Sequence, residues 1–288
     1  MDATTIITQI FLPISLAIIM FGMGLTLVVS DFGRLFAYPK EVILGLFNQL
    51  IFLPLIGFLI ILLFDLNSSM AIGIMILSLC PGGPTSNLIT QVARGNIGLS
   101  VTLTALASLI TVFTIPIILS EAITYFAGET DVVIELPIVQ TMLQILLITV
   151  IPVSIGMVIR KKNEAFALIM ERPMRIASTV LFIIIFLLVM IANKDLIVQA
   201  MKVVGLATLL LNLSTMALGY ITAKVFGIKG KSQISITIES GIQNGTLAFV
   251  IATTILNNVE MGLPTGAYSI WMFITGGILM WRLGSSKS

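Results

Sequence analysis

Glu239-Ser240-Gly241-Ile242-Gln243-Asn244-Gly245-Thr246 interrupts an apolar run over 233–256, and Cys80-Pro81-Gly82-Gly83-Pro84-Thr85-Ser86-Asn87 interrupts another over 70–92. Neither stretch can continue an α-helix. In the Cys80–Asn87 stretch each proline lacks a backbone donor and its ring presses on the preceding turn. In the other, two glycines stand among polar side chains that the surrounding apolar residues do not resemble. Irregular backbone at the depth of a bilayer persists only where protein or a water-filled cavity surrounds it. If the flanking runs are membrane spans, these two breaks mark an internal cavity.

Composition makes them spans. Of 288 residues 58% are hydrophobic and only 10% charged, with a mean hydropathy of +1.14, whereas a soluble domain carries about 25% charged residues. The apolar runs are 10–29, 42–64, 70–92, 98–120, 138–159, 176–192, 203–223, 233–256 and 266–281. Spans of roughly 20 residues joined by short loops fill the chain. Residues 1–288 therefore read as one all-α integral membrane domain of about nine transmembrane helices. The first run follows acidic Asp2 without a basic segment before it and is not read as a cleaved signal peptide.

Charge sets the orientation. With the N-terminus outside, alternate loops place Arg34, Lys40, Arg94, Arg160, Lys161, Lys162, Arg172, Arg175, Lys224, Lys229, Lys231, Arg282 and Lys287 inside and only Lys194 and Lys202 outside. This is the asymmetry of a multi-pass protein of the cell's inner (plasma) membrane. An even span count destroys the split, so the reading is nine spans with a cytoplasmic C-terminus. The breaks fall in spans three and eight. Their odd offset makes the two segments run in opposite directions, as in an inverted repeat with spans 1–4 (10–120) matching spans 6–9; with span five included, the second repeat covers 138–283. Paired interrupted helices at corresponding positions point to a transporter binding site.

The residue inventory narrows the chemistry. There is no histidine, which excludes histidine metal sites, nucleophile pairs and proton relays, and the single Cys80 excludes an internal disulfide. Glu239 is the one acid inside a span, and the spans hold no Lys or Arg to pair with it. An ionised carboxylate at the bilayer centre costs at least ~2.5 kcal/mol. Either Glu239 is permanently protonated and hydrogen-bonded, or its partner is a transported cation, sodium or a proton. Sodium is a hard ion that takes oxygen ligands, by the logic that governs calcium. Glu239, Gln243, Ser86 and Asn87 offer such oxygens, as do Gln49 in span two and Ser100 and Thr104, four residues apart on one face of span four. Ser and Thr in membrane helices also bond to their own backbone, so the last two are ambiguous; a buried glutamine needs partners.

At these residues the sequence resembles the bile acid:sodium symporter family. The likeness covers nearly the whole chain, through Gly22-Met23-Gly24-Leu25-Thr26-Leu27, Cys80-Pro81-Gly82-Gly83, Ser86-Asn87, Ala93-Arg94-Gly95-Asn96, Ile238-Glu239-Ser240-Gly241-Ile242-Gln243-Asn244 and Ser269-Ile270-Trp271. It implies a nine-helix form with a panel domain (spans 1, 5 and 6) and a core domain (spans 2–4 and 7–9), in which two discontinuous helices cross. It implies two sodium ions. Site one takes Ser86, Asn87, Ser100, Thr104 and Glu239; site two takes Gln49, Glu239, Gln243 and the carbonyls of Ser240 and Ile242. Asn244 falls at the substrate cavity. Two departures touch that cavity: Pro84 followed by Thr85 replaces the threonine that relatives carry after the glycine pair, and Met272-Phe273 replaces a polar pair. The substrate stays open between a bile-acid-like anion and a small carboxylate.

The reading is thus a sodium-coupled symporter of a small organic anion working by alternating access, with the ions, the anion and the lipid bilayer as its partners and no nucleic acid or protein partner implied. A proton-coupled or uniport carrier on the same fold is the alternative. An intramembrane enzyme lacks the histidine or paired aspartates it would need, and nothing resembles a channel's selectivity filter.

Overall fold

The computed structural model describes residues 6–127, 136–170 and 194–284, with a few isolated positions between 173 and 184. The expected span six, 176–192, falls almost wholly outside the described residues. The main helices are α1 (Gln9–Thr26), α2 (Pro39–Phe64), α3 (Ser68–Leu79), α4 (Pro84–Val92), α5 (Ile97–Ala127), α6 (Ile138–Lys162), α7 (Lys194–Val225), α8 (Lys231–Gly241), α9 (Gly245–Ile255) and α10 (Leu263–Gly284), with shorter helical turns between some of them. Six of them, α1, α2, α5, α6, α7 and α10, contain stretches long and apolar enough to cross a membrane. The pairs α3–α4 and α8–α9 carry the two breaks, and α3 and α9 are shorter apolar helices.

Prolines are absorbed inside long helices without ending them. Pro13, Pro54 and Pro152 each follow a widened π-helical turn, at Ile7–Phe11, Asn48–Phe52 and Leu146–Val150. A proline ring clashes with the carbonyl four residues back. The wider turn lets the ladder run to the fifth residue instead, as Leu53 N–H does to Asn48 O and Ile151 N–H to Leu146 O.

Faces are sorted by solvent. On α1 the buried positions Leu12, Leu16, Met20 and Met23 recur at helical spacing. Outward positions elsewhere are equally apolar: Leu59 and Leu63 of α2, Phe113 of α5, Leu143 and Leu147 of α6, Leu206 and Leu213 of α7 and Ile274 and Ile278 of α10 are all exposed. Such a surface suits hydrocarbon and not water. Without a hydrophobic drive between helices in lipid, close backbone approach holds them together. α1 lies against α6 through Gly24 and Gly156; a methyl on Gly24 would run into the Val153 carbonyl, and one on Gly156 would reach within 2.8 Å of Gly24.

The breaks meet each other. Gly82 and Gln243 form an isolated antiparallel bridge, and Asn244 N–H donates to Pro81 O at 2.8 Å. Cys80, Gly83 and Ile242 are extended, and each break restarts a helix with a recognisable signal. Pro84 opens α4 at a position where its missing donor costs nothing. The Asn244 side chain caps α9 by accepting from Leu247 N–H at 3.0 Å. The C-terminal ends of α3 and α8 and the N-terminal ends of α4 and α9 therefore converge on one small volume.

Candidate functional site

Glu239 is fully buried on the last turns of α8, and its carboxylate is the centre of that volume. Ser86 Oγ of α4 donates to Oε1 at 2.6 Å, Ser100 Oγ of α5 donates to the same oxygen, and Thr104 Oγ1 donates to Oε2 at 3.0 Å. Gln49 Nε2 of α2 reaches Oε2 at 3.2 Å and the Glu239 backbone carbonyl at 2.9 Å. Three helices, α2, α4 and α5, thus place neutral oxygens and one amide around the acid. The two breaks supply the room: a Cβ on Gly82 would run into the Glu239 carboxylate and lie 3.3 Å from Gln49 Nε2.

The ambiguity over Ser100 and Thr104 is resolved by their neighbours on the same helix. Thr102 and Ser108 turn their hydroxyls back to the carbonyls of Gly98 and Thr104, at 2.7 Å each. Ser100 and Thr104 instead point across to Glu239, and Ser100 also lies 2.8 Å from Asn87 Oδ1.

This cluster holds more oxygens than protons. Ser100 Oγ has one proton to give, yet it lies within hydrogen-bond reach of Asn87 Oδ1, Thr90 Oγ1 and Glu239 Oε1. Ser86 Oγ, also with one proton, faces Gly83 O, Glu239 Oε1 and Thr104 Oγ1. Converging lone pairs without protons between them repel, unless a cation, or a proton on Glu239, takes its place between them. Ser86, Asn87, Ser100, Thr104 and Glu239 are therefore brought together as one oxygen-rich group. Thr90 joins them and was not singled out from sequence; the signal available was its spacing, one turn after Ser86 on the same face of α4.

A second group lies beside it. Gln49 Oε1 and Gln243 Oε1 are buried with no hydrogen-bond partner. Their nitrogens are held, Gln49 by Glu239 and Gln243 by the Ser240 carbonyl at 2.9 Å. A buried, unpaired amide oxygen is costly, and two of them, on side chains whose nitrogens bond the Glu239 and Ser240 carbonyls of one turn, are donors of the kind a hard cation takes. Asn48, next to Gln49 in the π-turn, also leaves its Oδ1 buried and unpaired while its Nδ2 bonds Thr222.

The positions expected at the substrate cavity are placed unevenly. Pro84 and Thr85 are half-buried at the start of α4, and Asn244 is buried, with its side-chain oxygen committed to capping α9. Met272 is buried and lies over Gly245, where an added Cβ would come 3.9 Å from its Cε. Phe273, one residue on, is 48% exposed on the outward side of α10 and takes no part in the packed crossing.

Residues 13–200 match the model of the Sodium Bile acid symporter family. The chain is 30% identical over 276 residues to a probable sodium/metabolite cotransporter, BASS1, of Arabidopsis thaliana chloroplasts, covering 95% of this chain and 67% of that protein. It is 30% identical over 269 residues to the uncharacterized sodium-dependent transporter YocS of Bacillus subtilis, covering 93% of this chain and 81% of that one. The human ileal sodium/bile acid cotransporter is 27% identical over 247 residues, covering 86% of this chain and 70% of its own length.

Proposed function

The chain belongs to the sodium bile acid symporter family, whose members are membrane transporters and not enzymes, and we propose that it is a sodium-coupled symporter importing a small organic anion. The observation that carries this reading is the surplus of oxygens over protons around Glu239, with the orphaned amide oxygens of Gln49 and Gln243 beside it.

Two sodium ions fit the two groups. Ser86, Asn87, Ser100, Thr104 and one side of the Glu239 carboxylate hold the first. Gln49, Gln243, the other side of Glu239 and the carbonyls of Ser240 and Ile242 hold the second. With the ions in place the Glu239 charge is more than balanced, leaving one net positive charge, and the N-terminal ends of α4 and α9 add partial positive charge toward an anion near Pro84, Thr85, Asn244 and Met272. The chain is a multi-pass membrane protein; in this reading it has nine spans with the N-terminus outside, in the cell's inner membrane. Spans 1, 5 and 6 form a panel that rocks against a core of spans 2–4 and 7–9, built as an inverted repeat, and the close contact of α1 with α6 supports that grouping. The cargo class is a bile-acid-like anion or a small carboxylate.

The test begins with thermal stability in detergent against carboxylates, cholate, lactate and succinate among them, in sodium and in choline. A ligand that binds only the folded protein raises its melting temperature. Stabilisation that needs sodium, followed by uptake of the same compound that stops when choline replaces sodium, is the expected result. Uptake that persists in choline and follows a proton gradient selects the proton-coupled alternative.

Two further outcomes follow from the paired sites. Gln49→Ala removes an orphaned oxygen and the amide that steadies Glu239, so sodium titration of uptake loses its sigmoidal shape and shifts about threefold to tenfold to higher concentration. An unchanged curve makes Gln49 a packed amide only. Two sodium ions entering with one monovalent anion carry one net charge, worth ~2.3 kcal/mol per 100 mV. A valinomycin-clamped, inside-negative potential of that size in proteoliposomes should therefore raise limiting accumulation about fiftyfold. Indifference to the potential points to one sodium per monovalent anion, or to a divalent cargo.

A further inference from the structure

At the end of α8 a second set of polar residues holds the broken backbone. Gly241 ends α8, so its carbonyl has lost the helical donor it would otherwise meet. Two buried side chains from two different helices replace it: Asn212 Nδ2 of α7 at 2.7 Å and Tyr268 OH of α10 at 2.9 Å. Both residues are fully buried. The Asn212 amide is itself fixed, because its Oδ1 accepts from Thr275 Oγ1 at 2.8 Å. Trp271 Nε1 donates to Gly205 O of α7 at 2.8 Å. Tyr268, Trp271 and Thr275 stand at helical spacing on one stripe of α10, so α7 and α10 present a rigid polar seam to the end of α8.

The seam is tight. A Cβ on Gly241 would run into Met216 of α7, and one on Gly219 would come 2.7 Å from Ser240 Oγ and 2.9 Å from Ile236 O. The turn that carries Glu239, Ser240, Gly241 and Ile242 is thus bonded from α7 and α10 at the Gly241 carbonyl and by the amides of Gln49 and Gln243 at the Glu239 and Ser240 carbonyls.

We propose that Asn212 and Tyr268 are positioning residues that clamp the Gly241 carbonyl from two helices and thereby hold the neighbouring Ser240 and Ile242 carbonyls in the cation-binding arrangement. The proposal rests on the sodium reading above. Neither residue touches the ion. The clamp also ties α7 and α10 to the unwound turn, so that a change of ion occupancy is felt by both helices. Because both donors serve one oxygen, either alone leaves that carbonyl satisfied, and loss of both leaves it buried and unpaired.

The test is equilibrium ²²Na⁺ binding to the purified full chain in detergent, for wild type, Tyr268→Phe, Asn212→Ala and the double variant, with melting temperature measured in parallel without sodium. Each single variant, with one donor still on the carbonyl, is expected to weaken sodium binding by no more than about threefold. The double variant is expected to weaken it by more than the product of the two, while the fraction of correctly folded protein on size exclusion stays at the wild-type level for the single variants. Phe at 268 keeps the ring and its packing, so it isolates the hydroxyl. Thr275→Val is expected to give a smaller loss, because it loosens Asn212 without removing it. Wild-type sodium affinity in both single variants and in the double overturns the clamp, even if their melting temperatures fall. Absence of sodium binding in the wild type overturns the sodium reading itself and the clamp with it.

Discussion

Glu239→Gln is expected to abolish sodium-driven uptake while leaving the protein folded and inserted. Glutamine keeps the shape and one oxygen but loses the charge, and its amide nitrogen turns a donor toward Ser86, Ser100 and Thr104, which already donate to that position. Removing one partner of a buried ion pair costs about 3–5 kcal/mol, a loss of more than about a hundredfold in sodium affinity. Glu239→Ala should fail equally. The side chain contacts neutral groups at this depth, so the glutamine variant breaks no salt bridge and its thermal stability without sodium should change little, while the alanine variant, which also strands buried donors, should be less stable. Uptake of the sodium-dependent cargo by proteoliposomes checks this, and full sodium-coupled transport by the glutamine variant would sink the assignment of both sites to Glu239.

The second large effect is at the first break. Gly82→Ala places a methyl group against the Glu239 carboxylate and 3.3 Å from Gln49 Nε2, on the residue that bridges to Gln243. The carboxylate it meets is held by bonds from three helices and has little freedom to retreat. Overpacking a tight site costs about 1–3 kcal/mol, so sodium affinity should fall about fivefold to a hundredfold. Pro84→Ala should be much milder, because Pro84 opens α4 where no helical hydrogen bond is at stake. The double variant, with both residues helix-permissive, should insert normally and lose sodium binding. Equal effects from the two single changes would contradict the steric account and favour a general loosening of the break.

What the chain disclosed, and what it withheld, divides along physical lines. Pro81, Pro84 and the glycine pair announce a break because no apolar helix accommodates them. Glu239 and Gln49 announce a site because charge and amide are costly in lipid. The six continuous spans found in the structure fall where hydropathy placed them, although α1 stops at Thr26, short of the apolar run's end at 29, because Leu27 turns extended. Ser100 and Thr104 were ambiguous for a real reason: Ser108 carries the same signal and spends it on its own helix, and Thr102 divides its hydroxyl between its own helix and the Asp31 carbonyl. That the two breaks bridge through Gly82 and Gln243 is a long-range pairing that no local pattern records. Asn212 was overlooked although it is a buried amide within an apolar span, like Gln49. Tyr268 gave no warning, since a tyrosine near the end of a span ordinarily reads as an interfacial anchor. Met272 and Phe273 are adjacent in sequence, yet the turn of α10 buries one and exposes the other.

Direct ²²Na⁺ equilibrium binding to the purified wild-type protein, titrated in a choline background, tests the central claim most plainly. The account predicts saturable, sigmoidal binding that approaches two ions per chain and disappears in Glu239→Gln. No saturable binding in the wild type, or undiminished binding in the Glu239→Gln variant, would contradict it.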